Sequence, residues 1–245
     1  MIIPKKSLGQ NFLIDKNTVY KIIKTIEITN NNIIEIGPGL GALTEKILEK
    51  NPKKLIIIEK DFELYKKLLN KFNSKKITII NDDAMLFDYS KLKKFKLISN
   101  LPYNISSKFL LKIIKLNNNF TDLVCMIQSE LADKLNYNCG KMNKYKFISR
   151  YCSIYKILFN VSPNVFYPKP KVNSTVVKFE LINQNINSQK LDFFLKTFFI
   201  NKRKKMKSNK NLKVILSDRI ANKRYEDLKY LEILDIYKRF NFSLC

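Results

Sequence analysis

Residues 98–106 read Ile-Ser-Asn-Leu-Pro-Tyr-Asn-Ile-Ser, and four of them, Asn100, Leu101, Pro102 and Tyr103, could together orient an aromatic amine. The exocyclic amine of adenine is a poor nucleophile because its lone pair is delocalised into the ring. A site must therefore aim it rather than deprotonate it strongly. The Asn100 side-chain oxygen and the Leu101 carbonyl provide acceptors for the two amine hydrogens. Pro102 stiffens the turn and removes a competing backbone donor, and Tyr103 offers a face on which a base can stack. Taken singly, Asn100 could be an Asx turn before a proline and Tyr103 a half-buried strand-end aromatic. The four in sequence are far more specific. The chain has no histidine, which excludes imidazole base catalysis, Ser-His-Asp triads and His-ligated metals. Transfer of an activated methyl group needs none of these, only in-line placement and exclusion of water.

A second cluster is made of glycine. The chain has five glycines, and Gly37, Gly39 and Gly41 fall in the run Ile33-Ile34-Glu35-Ile36-Gly37-Pro38-Gly39-Leu40-Gly41-Ala42. So sparing a use keeps glycine where a side chain would obstruct or where φ is positive. The spacing is Gly-x-Gly-x-Gly rather than the Gly-x-Gly-x-x-Gly of dinucleotide sites. The next apolar run ends in Glu59, an acid that could take two ribose hydroxyls of NAD or of S-adenosylmethionine. The run after it ends in Asn81-Asp82-Asp83-Ala84, where Asp83 could accept from an adenine amine, or both acids could be plain turn residues. The Asn100 loop breaks the tie in favour of a methyl donor.

Elements must carry these groups to one place. Short β-rich runs at 33–36, 54–58, 76–80, 95–99, 121–127, 153–161 and 173–181 alternate with amphipathic stretches at 16–27, 41–50, 61–72, 106–116, 129–137 and 144–150, which predicts an α/β open sheet. The last two strands follow one another across a proline-rich loop, which suggests an antiparallel pair at the sheet's edge. In such a sheet the glycine turn opens on the crevice at the carboxyl ends of the strands. Helical segments are predicted at 190–200, 204–216 and 225–239. The organisation expected is a catalytic domain over 1–182 and a small helical domain over 183–245.

Composition bounds the setting. Of 245 residues, 46 are Lys or Arg and 21 are Asp or Glu, a net charge of +25. A field that positive suits nucleic acid or an anionic membrane surface, although Lys-, Asn- and Ile-rich usage can also arise from an AT-rich genome. No apolar run approaches a membrane span and no secretory signal is evident, so the expected location is the cytoplasm. The four cysteines form no Cys-x-x-Cys pair, so neither a metal nor a disulfide framework is expected. Nothing demands an oligomer.

With these residues in place, the chain resembles the KsgA family of ribosomal RNA adenine dimethyltransferases. Lys5-Lys6-Ser7-Leu8-Gly9-Gln10-Asn11-Phe12-Leu13 is similar to the family's amino-terminal signature and Gly37 to Thr44 to its cofactor loop. Asn100 to Ser106 is similar to its catalytic loop, and Phe166-Tyr167-Pro168-Lys169-Pro170-Lys171-Val172 to its late Phe-x-Pro-x-Pro-Lys-Val element. The resemblance implies a Rossmann-like methyltransferase sheet and dimethylation of two adjacent adenosines near the 3′ end of small-subunit (16S) rRNA, free or in a pre-30S particle. It implies S-adenosylmethionine held by Asn11, Leu13, Gly37, Gly39, Glu59, Asp83 and Asn100, and a target adenine sandwiched by Tyr103 and Phe166. Phe166 could instead pack beneath the proline-rich loop.

The run from Phe199 to Lys207 resembles the family's basic helix, with Lys where Arg is usual. Its Lys202, Arg203, Lys204, Lys205 and Lys207 are expected to hold RNA phosphates, less directionally than arginines would. Asn173 stands where the family commonly has an acid, a version also seen in Erm methyltransferases of large-subunit (23S) rRNA. The segment around Cys139-Gly140 departs from the family's Gly-rich loop, and the helical domain looks shortened. The alternatives are an Erm-like enzyme, a non-catalytic RNA-binding assembly factor on the same fold, and an NAD dehydrogenase, the last opposed by its glycine spacing and lack of histidine.

Overall fold

The computed structural model describes residues 4–5, 8–182, 186–200, 204–209, 212 and 216–240. The strand β1 (Phe12–Leu13) and helix α1 (Lys16–Ile23) precede an alternating series. It runs β2 (Asn32–Ile36), α2 (Ala42–Glu49), β3 (Lys54–Glu59), α3 (Phe62–Lys71), β4 (Ile77–Asn81), β5 (Phe95–Asn100), α4 (Tyr103–Ile113) and β6 (Phe120–Gln128). Then come α5 (Ser129–Leu135), α6 (Lys144–Cys152), β7 (Ser153–Val161), β8 (Phe166–Tyr167) and β9 (Ser174–Leu181), and finally α7 (Ser188–Phe198), α8 (Asp218–Ala221) and α9 (Tyr230–Arg239).

Seven strands form one sheet in the order β4-β3-β2-β5-β6-β9-β7. The first five are parallel, and β9 runs antiparallel to both β6 and β7. The expected antiparallel edge pair is present, with the later strand inserted between its partner and β6. Because β2 has β3 on one side and β5 on the other, the chain reverses direction across the sheet there, where open α/β sheets place ligands. β2 reads as an almost unbroken apolar run because helices cover both of its faces. Ile34 and Ile36 join one buried cluster and Ile33 the other. A separate two-stranded ribbon pairs Leu13 with Phe166 and Phe12 with Tyr167.

Several helices differ from expectation. α4 starts at Tyr103 rather than 106, since Pro102, with φ near −55°, already satisfies the first turn and its carbonyl accepts from Ser106 N. α1 ends at Ile23, where the Thr25 hydroxyl turns back to the Ile22 carbonyl. Of the helix expected over 204–216, the described residues include a 3₁₀ turn at Met206–Ser208. Met206 is its apolar anchor among exposed lysines, and its N–H donates to the Lys223 carbonyl. The helix expected over 225–239 is a 3₁₀ turn followed by α9, whose start is set by Lys229 N donating to the Glu232 carboxylate at 2.8 Å. The expected domain boundary, between residues 182 and 183, adjoins residues 183–185, which lie outside the described residues. On the far side, α7 and α9 share a buried cluster with the sheet through Phe147 and Tyr155. No helix among the described residues is long and apolar enough to cross a membrane.

Candidate active site

The carboxyl ends of β2, β3, β4 and β5 border a cavity of about 1010 Å³, measured out to its open mouth. Asn11, Leu13, Gly37, Gly39, Glu59, Asp83, Asn100, Leu101, Pro102 and Tyr103 all line it, although they come from five separate stretches of chain. The amino-terminal strand forms part of its cover.

The glycines keep the floor open. Gly37 and Gly39 have φ of +61° and +58°. A Cβ on Gly39 would stand 2.9 Å from the Phe12 ring, and one on Gly37 would stand 3.3 Å from Pro102. The turn is therefore compatible with glycine on two counts, handedness and room.

Two acids lie under it. Glu59 is 6% exposed; its Oε2 accepts from Gly39 N at 3.3 Å and its Oε1 from Asp61 N at 2.9 Å. Burial holds its pKa above the usual carboxylate range, and those N–H donors oppose the rise. Glu35, which the sequence reading passed over, lines the same cavity at 1% exposure and accepts from the Thr44 hydroxyl at 2.6 Å. Burial pushes it up to about 8; the Thr44 bond works against that and the Glu59 charge adds to it. The signal available was an acid inside an isoleucine strand, one residue before the glycine turn.

Asp83 sits at the rim. Its carboxylate accepts from Lys60 Nζ and from Met85 N, each at 2.8 Å, and the Lys60 bond holds its pKa below the ordinary value. Each oxygen retains a second lone pair for a ligand donor.

At the end of β5, Asn100 Nδ2 donates to the Asn11 carbonyl at 3.0 Å. The amide is thereby turned with its nitrogen committed to the protein and its oxygen as the remaining acceptor. Leu101 is held by its N–H on the Met126 carbonyl at 3.2 Å. Ser99, one residue back, is 2% exposed and ties β5 to β2 through its hydroxyl on the Ile36 carbonyl at 2.6 Å. The Tyr103 hydroxyl lies 2.5 Å from Ser174 Oγ, so the ring is fixed at the wall by both ends.

Phe166 is the ring expected opposite Tyr103. It does not line the cavity: at 3% exposure it belongs to a buried cluster with Leu13 and Val176. The residue paired with Leu13 faces the core, and its neighbour Tyr167, paired with Phe12, is 55% exposed. Of the basic run, Lys204, Lys205 and Lys207 are exposed, and Lys202 and Arg203 lie outside the described residues.

A cradle that glycine keeps clear, buried carboxylates facing a polar ligand and a committed asparagine amide fit a nucleoside-bearing cofactor, S-adenosylmethionine. Known proteins agree. A family model described as Ribosomal RNA adenine dimethylase matches residues 3–242. Ribosomal RNA small subunit methyltransferase A of Malacoplasma penetrans (strain HF-2) is 42% identical over 212 residues, 83% of this chain and 76% of that protein. Its namesake in Hydrogenobaculum sp. (strain Y04AAS1) is 36% identical over 241 residues, 97% of this chain and 93% of that one. Among solved structures, a dimethyladenosine transferase from Plasmodium falciparum superposes with TM-score 0.78 at 24% identity, over 94% of this chain and 97% of its own. The 23S rRNA methyltransferase ErmE gives TM-score 0.71 at 18% identity, over 94% and 99%. At those identities the two structures establish the fold.

Proposed function

The chain belongs to the ribosomal RNA adenine dimethylase family and is an S-adenosylmethionine-dependent rRNA methyltransferase, and from that premise we propose that its cavity dimethylates two adjacent adenosines near the 3′ end of small-subunit rRNA. The observation that carries the reading is the Asn100 amide, whose nitrogen donates to the Asn11 carbonyl and whose oxygen is left to accept from an amine.

S-adenosylmethionine supplies a methyl group already activated on a sulfonium. Gly37 and Gly39 let it approach the backbone, Glu59 accepts ribose hydroxyls, Asp83 accepts from its adenine amine, and Asn11 and Leu13 close over it. The target amine is aimed by Asn100 Oδ1 and the Leu101 carbonyl, with Pro102 fixing the turn and Tyr103 stacking on the everted base. Phe166 contributes from the core by setting Leu13 in place. Lys204, Lys205 and Lys207, with Lys202 and Arg203, hold the RNA backbone, so affinity falls steeply with salt. The enzyme acts as a cytoplasmic monomer on small-subunit rRNA or a pre-30S particle. Small-subunit rRNA is favoured over the large because the relatives named for the small subunit are 36% and 42% identical.

Primer extension on rRNA treated with the protein and S-adenosylmethionine tests this. The expected result is a pair of stops at neighbouring adenosines near the 3′ end of small-subunit rRNA and none on large-subunit rRNA. Stops on large-subunit RNA alone would move the enzyme to the Erm-like class.

A further inference from the structure

We propose that Asp61 is a positioning residue that latches the amino-terminal strap, residues 8–13, over the cofactor cavity. Asp61 follows the strand end that carries Glu59, and its side chain is 3% exposed. As the N-cap of α3 it needs one bond, which Oδ1 accepts from Glu63 N at 3.0 Å. It makes two more. Lys5 Nζ donates to Oδ1 and Gln10 Nε2 to Oδ2, both at 2.9 Å, from 56 and 51 residues away in sequence. Gln10 closes the loop by accepting from Lys5 N at 2.7 Å. A helix cap uses neither of these long-range partners, so the extra bonds serve the strap.

The strap's other end is fixed at the chemistry. The Asn11 carbonyl takes the Asn100 amide, and Leu13 pairs with Phe166 in the ribbon. Gly9, at φ +65°, passes so close to α4 that a Cβ there would stand 3.0 Å from Asn104 Oδ1. The strap thus runs from the end of β3 to the end of β5, on either side of β2 in the sheet, which is to say across the cofactor crevice. Asp61 N also donates to Glu59 Oε1. One residue therefore joins the proposed ribose acid to the cover and, through Gln10 and Asn11, to Asn100. Release of the latch opens the cover for cofactor exchange, and its closure sets the Asn11 carbonyl that orients the Asn100 amide.

This rests on the cavity being the cofactor site, and the test separates the two ideas. Lys5→Met and Lys5→Met/Gln10→Met remove the latch and leave the α3 cap intact. Titration of the full-length protein with S-adenosylmethionine should give a Kd raised about threefold in the single and about tenfold in the double variant. In Lys5→Met, kcat at saturating cofactor and KM for rRNA should stay within twofold. Hydrogen exchange of residues 8–13 should quicken in the cofactor-free double variant and return to the parent rate when cofactor saturates. Gln10→Glu faces Asp61 with a like charge, so the ratio of its cofactor affinity to the parent's at the same pH should fall as pH rises through the carboxylate range, over and above the titration of Glu59, Glu35 and Asp83 that both proteins share. A Kd within twofold of the parent in the double variant overturns the latch, and so does a loss confined to kcat or melting temperature with Kd unchanged. Glu59→Gln is the control: if it fails to weaken the cofactor, the cavity reading is wrong, whereas if it weakens the cofactor and the strap variants do not, only the latch is lost.

Discussion

The cavity and the aromatic cluster between α6, α7 and α9 are built of opposite materials. Around the cavity the chain buries carboxylates and spends glycines at positive φ, both of which cost stability. Around Phe147 it buries rings: Phe194, Tyr230 and Tyr237 lie with centroids 5.7 to 6.2 Å away, and Phe194 stacks on Phe198 at 5.0 Å. Arg150 sits 4.4 Å over Tyr230 at its edge. Such a cluster stabilises without dictating chemistry, since rings attract by area and offset contact. The difference implies that substitutions at the cavity change turnover and leave folding nearly intact, and substitutions in the cluster do the reverse.

The sharpest way to break that division is at Asn100. Asn100→Ala removes the acceptor proposed to aim the amine and should lower kcat/KM about a thousandfold, roughly 4 kcal/mol of barrier, with the melting temperature nearly unchanged. Methyl transfer at the parent rate would sink the proposed role of the loop. Its counterpart in the cluster is Phe147→Ala. Phe147 is fully buried, and its loss should cost about 3 kcal/mol of unfolding free energy in denaturant titration. Cofactor Kd measured on the folded fraction should not move. A change there would mean that the cluster shapes the cavity.

What the sequence disclosed follows the same divide. Strand limits came within a residue or so at β2, β3, β5 and β7, because isoleucine-rich runs bounded by Lys, Asn and Glu permit little else. The residues expected to hold cofactor and to orient the amine line one cavity, since all but Asn11 and Leu13 belong to the strand ends and turns that an open sheet gathers at one edge. Three features could not be read. The side that Phe166 faces depends on its register with Leu13, a pairing between residues some 150 apart in the chain. The bonds of Asp61 depend on Lys5 and Gln10, equally remote. The insertion of β9 between β6 and β7 turns on which antiparallel partner completes the sheet, and local pattern is the same either way.

Glu35 belongs to both materials, a carboxyl buried as deeply as the rings. Its pKa is raised from 4.5 to about 8 by burial. Between those two pH values the unfolded chain releases this proton and the folded protein keeps it. Stability from this group is therefore complete below about pH 4.5 and is lost as pH rises toward 8. Glu35→Gln keeps an acceptor for the Thr44 hydroxyl and removes the titration. The variant should gain about 4 kcal/mol on the parent at pH 8 and almost nothing at pH 4.5. Its melting temperature should vary less across that window, though not vanish in slope, because Glu59 is raised as well. Parallel melting curves for the two proteins would place an ionised Glu35 in the fold at neutral pH.

The smallest effect probes the seam between the two regions. Lys115, just past α4, reaches Asp192 of α7 with both carboxylate oxygens at 2.5 and 2.6 Å. Its side chain is 10% exposed but that of Asp192 is 49% exposed, so solvent screens much of the attraction. Lys115→Met keeps the stem's packing and should cost about 1 kcal/mol, near 3 °C in Tm. The informative measurement is kcat at saturating rRNA. α4 begins at Tyr103, so if the seam transmitted strain into that wall of the cavity, turnover would fall together with Tm. If the regions are as separate as their materials indicate, turnover per folded molecule stays at the parent value and only the melting point moves.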